Sequence, residues 1–107
     1  MIEEKEVAQI KLGAYLYKVL MANDRLVLNG EEVSAIVDNN DKTIRISGIS
    51  WETKPPSCKL WCIIHEVLEA IKSIYWIDIE HKDLDRFAEG ITDFLVHNTS
   101  LQIEGIL

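Results

Sequence analysis

An α+β domain, with a small antiparallel β-sheet packed against two main α-helices, is the fold this sequence predicts, and three observations predict it. Up to about residue 50, short apolar segments alternate with turn chemistry; from about residue 57, two long stretches carry apolar residues at helical spacing; and Lys54-Pro55-Pro56-Ser57 separates the two patterns. The 107 residues, 48% hydrophobic with only 5 Gly and 2 Pro, suit one domain with its own core rather than two. We therefore expect a single unit over 1–107, β-rich over about 7–50 and helical over about 57–98.

In the first half, Val7, Ile10, Leu12, Ala14, Leu16 and Val19 form a mixed pattern that fits a strand or a helix, with strand preferred. Asn23-Asp24 and Asn29-Gly30 are turn pairs around the short apolar run Leu26-Val27-Leu28. Val33 to Val37 and Thr43 to Ser47 read as a β-hairpin closed by Asp38-Asn39-Asn40-Asp41, because Thr43 to Ser47 alternates at period two. Pro56 and Ser57 then supply a rigid helix entrance.

The first long helix is expected from about Cys58 to Tyr75, carrying Leu60, Ile64, Val67, Leu68, Ile71 and Ile74. Trp76 to Glu80 lacks that register and reads as the connection. A second helix follows from about His81 or Lys82 to Asn98, with Leu84, Phe87, Ala88, Ile91, Phe94 and Leu95 on one apolar face. Gly90 weakens it by about 1 kcal/mol relative to Ala, or lets another element approach closely. Leu101 to Leu107 fits a final strand or irregular chain, and the three tryptophans, Trp51, Trp61 and Trp76, are expected to pack.

Charge and composition narrow the function classes. Eighteen acidic against eleven basic side chains give a net charge of −7, which repels a phosphate backbone, so no direct nucleic-acid partner is expected. No apolar run approaches the roughly 18 residues of a membrane span. Met1 to Glu6 lacks the zones of a signal peptide, which leads to an expected cytoplasmic location. Cys58 and Cys62, one helical turn apart, read as reduced thiols rather than a disulfide.

The chemistry concentrates in His65-Glu66-Val67-Leu68-Glu69, followed twelve residues later by His81. At about 100° per residue, His65 and Glu69 share a polar stripe off the main apolar one, and their four-residue spacing stacks an imidazole and a carboxylate toward one point. Glu66 points about 100° away, a direction that suits a base beside a metal ion rather than a ligand to it. Two alternatives stay open: His65, Glu66 and Glu69 as a solvated helix face, and Cys58, Cys62, His65 and Glu69 as a thiolate-containing structural zinc site; Tyr75 and His97 are candidates by chemistry alone for stabilising an oxyanion, with His97 read as exposed. His81 begins the second helix, so it reaches His65 and Glu69 only if the connection folds back or the helices cross steeply.

The segment from Lys59 to Asn98 resembles small, often phage-encoded relatives of the ImmA/IrrE metallopeptidases, which carry an HExxH helix and then a glutamate ligand ahead of a Phe-Ala or Leu-Ala pair. Here Phe87-Ala88 is that pair; Glu69 stands where the second histidine would, and His81 where the glutamate would, giving an HExxE variant with the inventory of two histidines and one carboxylate kept. The resemblance implies a zincin-like minimal domain holding Zn2+ or another divalent metal through His65, Glu69 and His81, with Asp85 orienting a ligand from behind. It also implies peptide hydrolysis, with Glu66 taking a proton from water at the ion, on a cytosolic protein or peptide substrate such as a regulator cut during phage induction. The competing expectation is a non-catalytic phage or prophage module that binds a metal or a protein partner.

Overall fold

The computed structural model describes residues 3–98, and in them the expected α+β architecture is present, so the expected tail segment Leu101 to Leu107 lies outside the described residues. Six strands are followed by three helices: β1 Glu4–Leu12, β2 Tyr15–Ala22, β3 Leu26–Leu28, β4 Glu31–Val33, β5 Ala35–Asp38, β6 Thr43–Ser47, α1 Gly48–Glu52, α2 Pro56–Ile74 and α3 His81–His97.

The mixed apolar pattern of Val7 to Leu20 resolves into two strands rather than one. Leu12 pairs with Tyr15 across a two-residue turn, and Gly13 occupies its first central position at φ +59°, a conformation that costs glycine little. Asn29 and Gly30 both take positive φ and close the β3/β4 hairpin in the manner their sequence anticipates. At the β5/β6 turn, Asp38 Oδ1 accepts hydrogen bonds from the Asn40 and Asp41 backbone N–H groups at 3.0 and 3.1 Å. Those donors, that of Asp41 foremost, hold the Asp38 carboxyl below its usual pKa.

The main sheet has the order β1-β2-β6-β5, and β3/β4 form a separate two-stranded sheet. Its β1/β2 and β5/β6 pairs are antiparallel as expected, but β2 and β6 run parallel, so the sheet is mixed. The cause is topological: β3, β4 and β5 intervene between β2 and β6, and the final reversal at Asp38 to Lys42 leaves β6 aligned with β2. Across one sheet face, Val19 pairs with Ile44 and Ile44 with Val37; Met21 pairs with Ile46 and Ile46 with Ala35. Tyr17, Val19, Ile44, Ile46 and Ala70 form the buried core, with Ile63, Val67 and Ile74 of α2 packed over it. Each fully buried side chain of this size stabilises the fold by about 1.5–3 kcal/mol.

The two long helices do not both lie on the sheet. Helix α2 packs on the sheet through β5, while α3 packs chiefly on α2, which makes the order sheet, α2, α3. The expected broad apolar face of α3 is corrected accordingly: Leu84, Ala88 and Thr92 are buried, while Phe87, Ile91, Phe94 and Leu95 are exposed. One helix neighbour can cover only a narrow stripe, here the i, i+4, i+8 row. Trp76 also departs from the expectation that it packs, being 92% exposed. None of the described helices is long and apolar enough to cross a membrane.

Candidate metal centre

The backbone around residue 76 brings the centre together. Helix α2 ends at Tyr75, whose N–H bonds to the Ile71 carbonyl; Trp76 takes φ +58°, and the Ile77 N–H returns to the Lys72 carbonyl. This six-to-one closure with a left-handed residue is a Schellman ending, and it turns the chain back along the helix it has just left. After the extended stretch to Glu80, α3 starts at His81 beside the middle turns of α2. The fold-back on which the reach of His81 depended is therefore present.

His65, Glu69 and His81 each offer a donor atom, and these atoms lie within 4.8 Å of one another. His81 Nδ1 is 3.4 Å from Glu69 Oε1, and the His65 and His81 rings meet edge to face with centroids 5.0 Å apart. Around an ion at about 2.0–2.2 Å from each donor, tetrahedral ligands stand roughly 3.4 Å apart. The His81 and Glu69 donors already have that spacing, and the group as a whole closes onto an ion by a small inward movement. Two imidazoles and a carboxylate suit zinc and other borderline divalent cations.

Asp85, one turn beyond His81 on α3, faces both rings. Its Oδ1 is 2.8 Å from His65 Nδ1, and its Oδ2 is 3.6 Å from His81 Nε2. His65 Nδ1 and Asp85 Oδ1 are inaccessible to water, and apart from this close mutual contact neither has a hydrogen-bond partner among the described residues. Such an unsettled buried pair fits a centre whose final geometry requires a further positive charge.

His65 lies off the apolar stripe, as its wheel position predicts, but it is only 9% exposed rather than solvated. Trp61 stacks on it at 5.3 Å, and α3 closes the other side. Burial pushes the His65 pKa down, against Asp85, which raises it; the neighbouring His81 adds to the lowering. A neutral imidazole is the form a metal needs.

Glu66 diverges from His65 and Glu69, toward β5. Desolvation, reinforced by the charge of Glu69 and moderated by the Val37 backbone N–H, raises its pKa to about 7. A carboxyl so poised exchanges protons near neutral pH. Val37 is a participant that the sequence did not reveal, because its amide direction depends on strand pairing. Ser47 N–H donates to Ser34 carbonyl, so by the period-two rule Ile36 and Asp38 bond to β6, and Ala35 and Val37 direct their backbone groups to the open edge.

A cleft of about 700 Å³ opens in front of the centre, lined by His65, Glu66, His81 and Asp85 on one side and by Leu28, Val33 and Ala35 of the β3/β4/β5 region on the other. Trp61, Cys62 and Lys54 complete its inner end. The tip of the β3/β4 hairpin therefore belongs to the cleft wall, although its turn chemistry carries no functional signal. A second, smaller and more apolar groove of about 580 Å³ runs along Phe87, Gly90 and Phe94 on the outer side of α3, away from the histidines.

The thiolate alternative finds no support in the geometry. Cys58 is exposed and Cys62 buried, neither belongs to the converging donor group, and burial pushes the Cys62 thiol up, away from the thiolate. Tyr75 and His97 do not line the cleft: His97 is exposed and paired with Asp93 at 3.1 Å, and the Tyr75 hydroxyl sits against Gly13. No known protein family, curated protein or solved structure matches the chain, so the likeness to the metallopeptidases rests on the residues that carry it.

Proposed function

We propose that the protein is a zinc-dependent peptidase-like enzyme in which His65, Glu69 and His81 hold the ion and Glu66 is the general base. The observation that carries this reading is the convergence of three donors from two helices, with Asp85 behind both histidines. A bound divalent cation supplies Lewis acidity, lowering the pKa of a water and polarising a carbonyl.

The chain's own residues then have defined tasks. The Glu66 carboxylate accepts the proton of the attacking water and returns it to the departing amine; its raised pKa makes both transfers feasible near neutrality. A neighbouring cation draws that pKa down, which favours the proton-accepting form. Ala35, with its backbone N–H and carbonyl directed outward on the free edge of β5, and the Val37 carbonyl, whose neighbouring N–H serves Glu66, offer an extended peptide main-chain hydrogen bonds beside the cleft. The substrate class this supports is an unfolded segment of a protein or a peptide.

A second reading follows from the same cleft: a metal-stabilised module that binds a peptide strand without cleaving it. Glu66→Gln separates the two. Zinc stoichiometry is measured on the wild type, E66Q and H81A, and cleavage of a pool of unstructured peptides is read by mass spectrometry. On the enzyme reading, E66Q binds zinc normally and loses cleavage by 100-fold or more, on the order expected for a general base, while H81A loses zinc. Zinc binding with no wild-type cleavage supports the module, and absence of zinc binding in the wild type removes both readings.

A further inference from the structure

We propose that the outer face of α3 is a self-association surface, on which the same helix of a second copy of this chain packs antiparallel about Gly90. The contact lies apart from the candidate metal centre and stands whether or not that centre holds an ion.

Gly90 has no explanation within one copy. In a helix interior it costs about 1 kcal/mol relative to Ala, yet among the described residues no neighbouring element lies within 4 Å of where its Cβ would stand. Phe87 and Phe94, one turn before it and one after, are both exposed, and the groove of about 580 Å³ runs over Gly90 between them. A glycine set between two exposed aromatic rings lets a second helix approach closely, and a ring of that helix can fill the space the missing side chain leaves.

The charges around the groove select a second copy as the occupant. At about 100° per residue, Asp83, Phe87, Phe94 and His97 lie along one seam with Gly90, while Arg86 and Asp93 share one flank of it. A two-fold axis perpendicular to two antiparallel helices brings the same flank of each together. Arg86 then meets Asp93 of the second copy, Asp83 meets its His97 and Phe87 its Phe94, with every pair centred within half a residue of Gly90. In a parallel arrangement Arg86 would stand level with Arg86 and Asp93 with Asp93, and the helix dipoles would oppose the contact. Because each copy carries a net charge of −7, opposite charges at the contact decide whether it forms.

The face runs from Asp83 to His97, about 21 Å. It therefore buries less than the roughly 1,200 Å² of a standard interface, and the dimer is weak, with Kd about 10–1,000 µM. The groove and the cleft of the candidate centre have none of their described lining residues in common, so both copies keep their clefts open.

Sedimentation equilibrium from about 10 µM to about 1 mM protein tests this, with a reductant so that the exposed Cys58 forms no disulfide and a chelator so that no cation bridges two copies. The wild type is expected to pass from monomer to dimer across that range. Arg86→Asp and Asp93→Arg, both at exposed positions, should each weaken association about 10-fold or more. Mixed in equal amounts, the two variants should associate again, because one then presents two acids and the other two bases on the facing flanks. Gly90→Gln should abolish the dimer while raising the thermal stability of the dilute monomer, since it fills the groove and favours the helix. A chain monomeric up to about 1 mM leaves the face to a different protein and overturns the proposal. So does a dimer that Arg86→Asp and Gly90→Gln leave intact, which places the contact elsewhere, or a mixture of the two charge variants that recovers no association.

Discussion

In its proposed role as a base, Glu66 occupies a position where that role and stability oppose one another. Burial raises its folded pKa from 4.5 to about 7, so the fold favours the protonated form. That contribution is fully present below pH 4.5 and is lost as the pH rises through about 7; the interval corresponds to at most about 3 kcal/mol. Glu66→Gln keeps the neutral form at every pH. Metal-free E66Q is therefore expected to be more stable than the wild type by about 2–3 kcal/mol at about pH 8, with the difference vanishing toward pH 4.5. Urea titrations at several pH values check this, and a pH-independent difference would contradict the buried-carboxyl account. His65 acts in the opposite sense: its lowered pKa removes stability as the pH falls below the usual histidine value of 6.5. Because both proteins retain His65, that effect cancels in the comparison.

Among the elements, the α2 ending has a residue of unsuitable type at its most demanding position. Trp76 adopts φ +58° with a side chain 92% exposed, so it bears the left-handed strain of a residue with a Cβ and gains little burial in return. Glycine is the usual residue of a Schellman ending. Trp76→Gly is expected to stabilise the protein by about 0.5–1 kcal/mol and to leave zinc affinity unchanged, read by thermal unfolding and by zinc titration. A loss of stability would mean that the indole has a packing role. The α2 and α3 spans, the β5/β6 hairpin and the Asn29-Gly30 turn were legible in the sequence because each depends on local periodicity or on turn residues. The division of Val7 to Leu20 into β1 and β2 was not, since Gly13-Ala14 lies within an apolar pattern and only cross-strand pairing distinguishes a two-residue turn from a continuing strand.

In the whole molecule, the layering of sheet, α2 and α3 leaves α3 attached by the narrow Leu84, Ala88 and Thr92 stripe together with the His81 and Asp85 contacts. Leu84→Ala is expected to cost about 2–5 kcal/mol, whereas Phe87→Ser, at a position 60% exposed, is expected to cost under about 1 kcal/mol. Equal losses would show that α3 is also packed through its outer face. If His65, Glu69 and His81 hold a cation as proposed, it would tie these two layers together, so zinc at about one hundred times its Kd is expected to add about 2.7 kcal/mol. A chelator should reverse the gain, with the accompanying change in hydrogen exchange concentrated in α3.

The residue types capable of the chemistry were apparent from spacing alone: His65 and Glu69 on one helical stripe, Glu66 diverging from them, and His81 with Asp85 a turn apart on the next helix. Helical geometry is short-range, and four residues of separation settle which side chains share a face. Whether His81 meets His65 was decided by the Trp76 reversal, and whether Glu66 meets a backbone amide was decided by the register that turns Val37 outward on β5. The burial of His65 and the exposure of Phe87 were likewise tertiary outcomes. A periodic pattern shows that a face is apolar or polar, but the identity and width of whatever covers that face depend on contacts between residues distant in the chain.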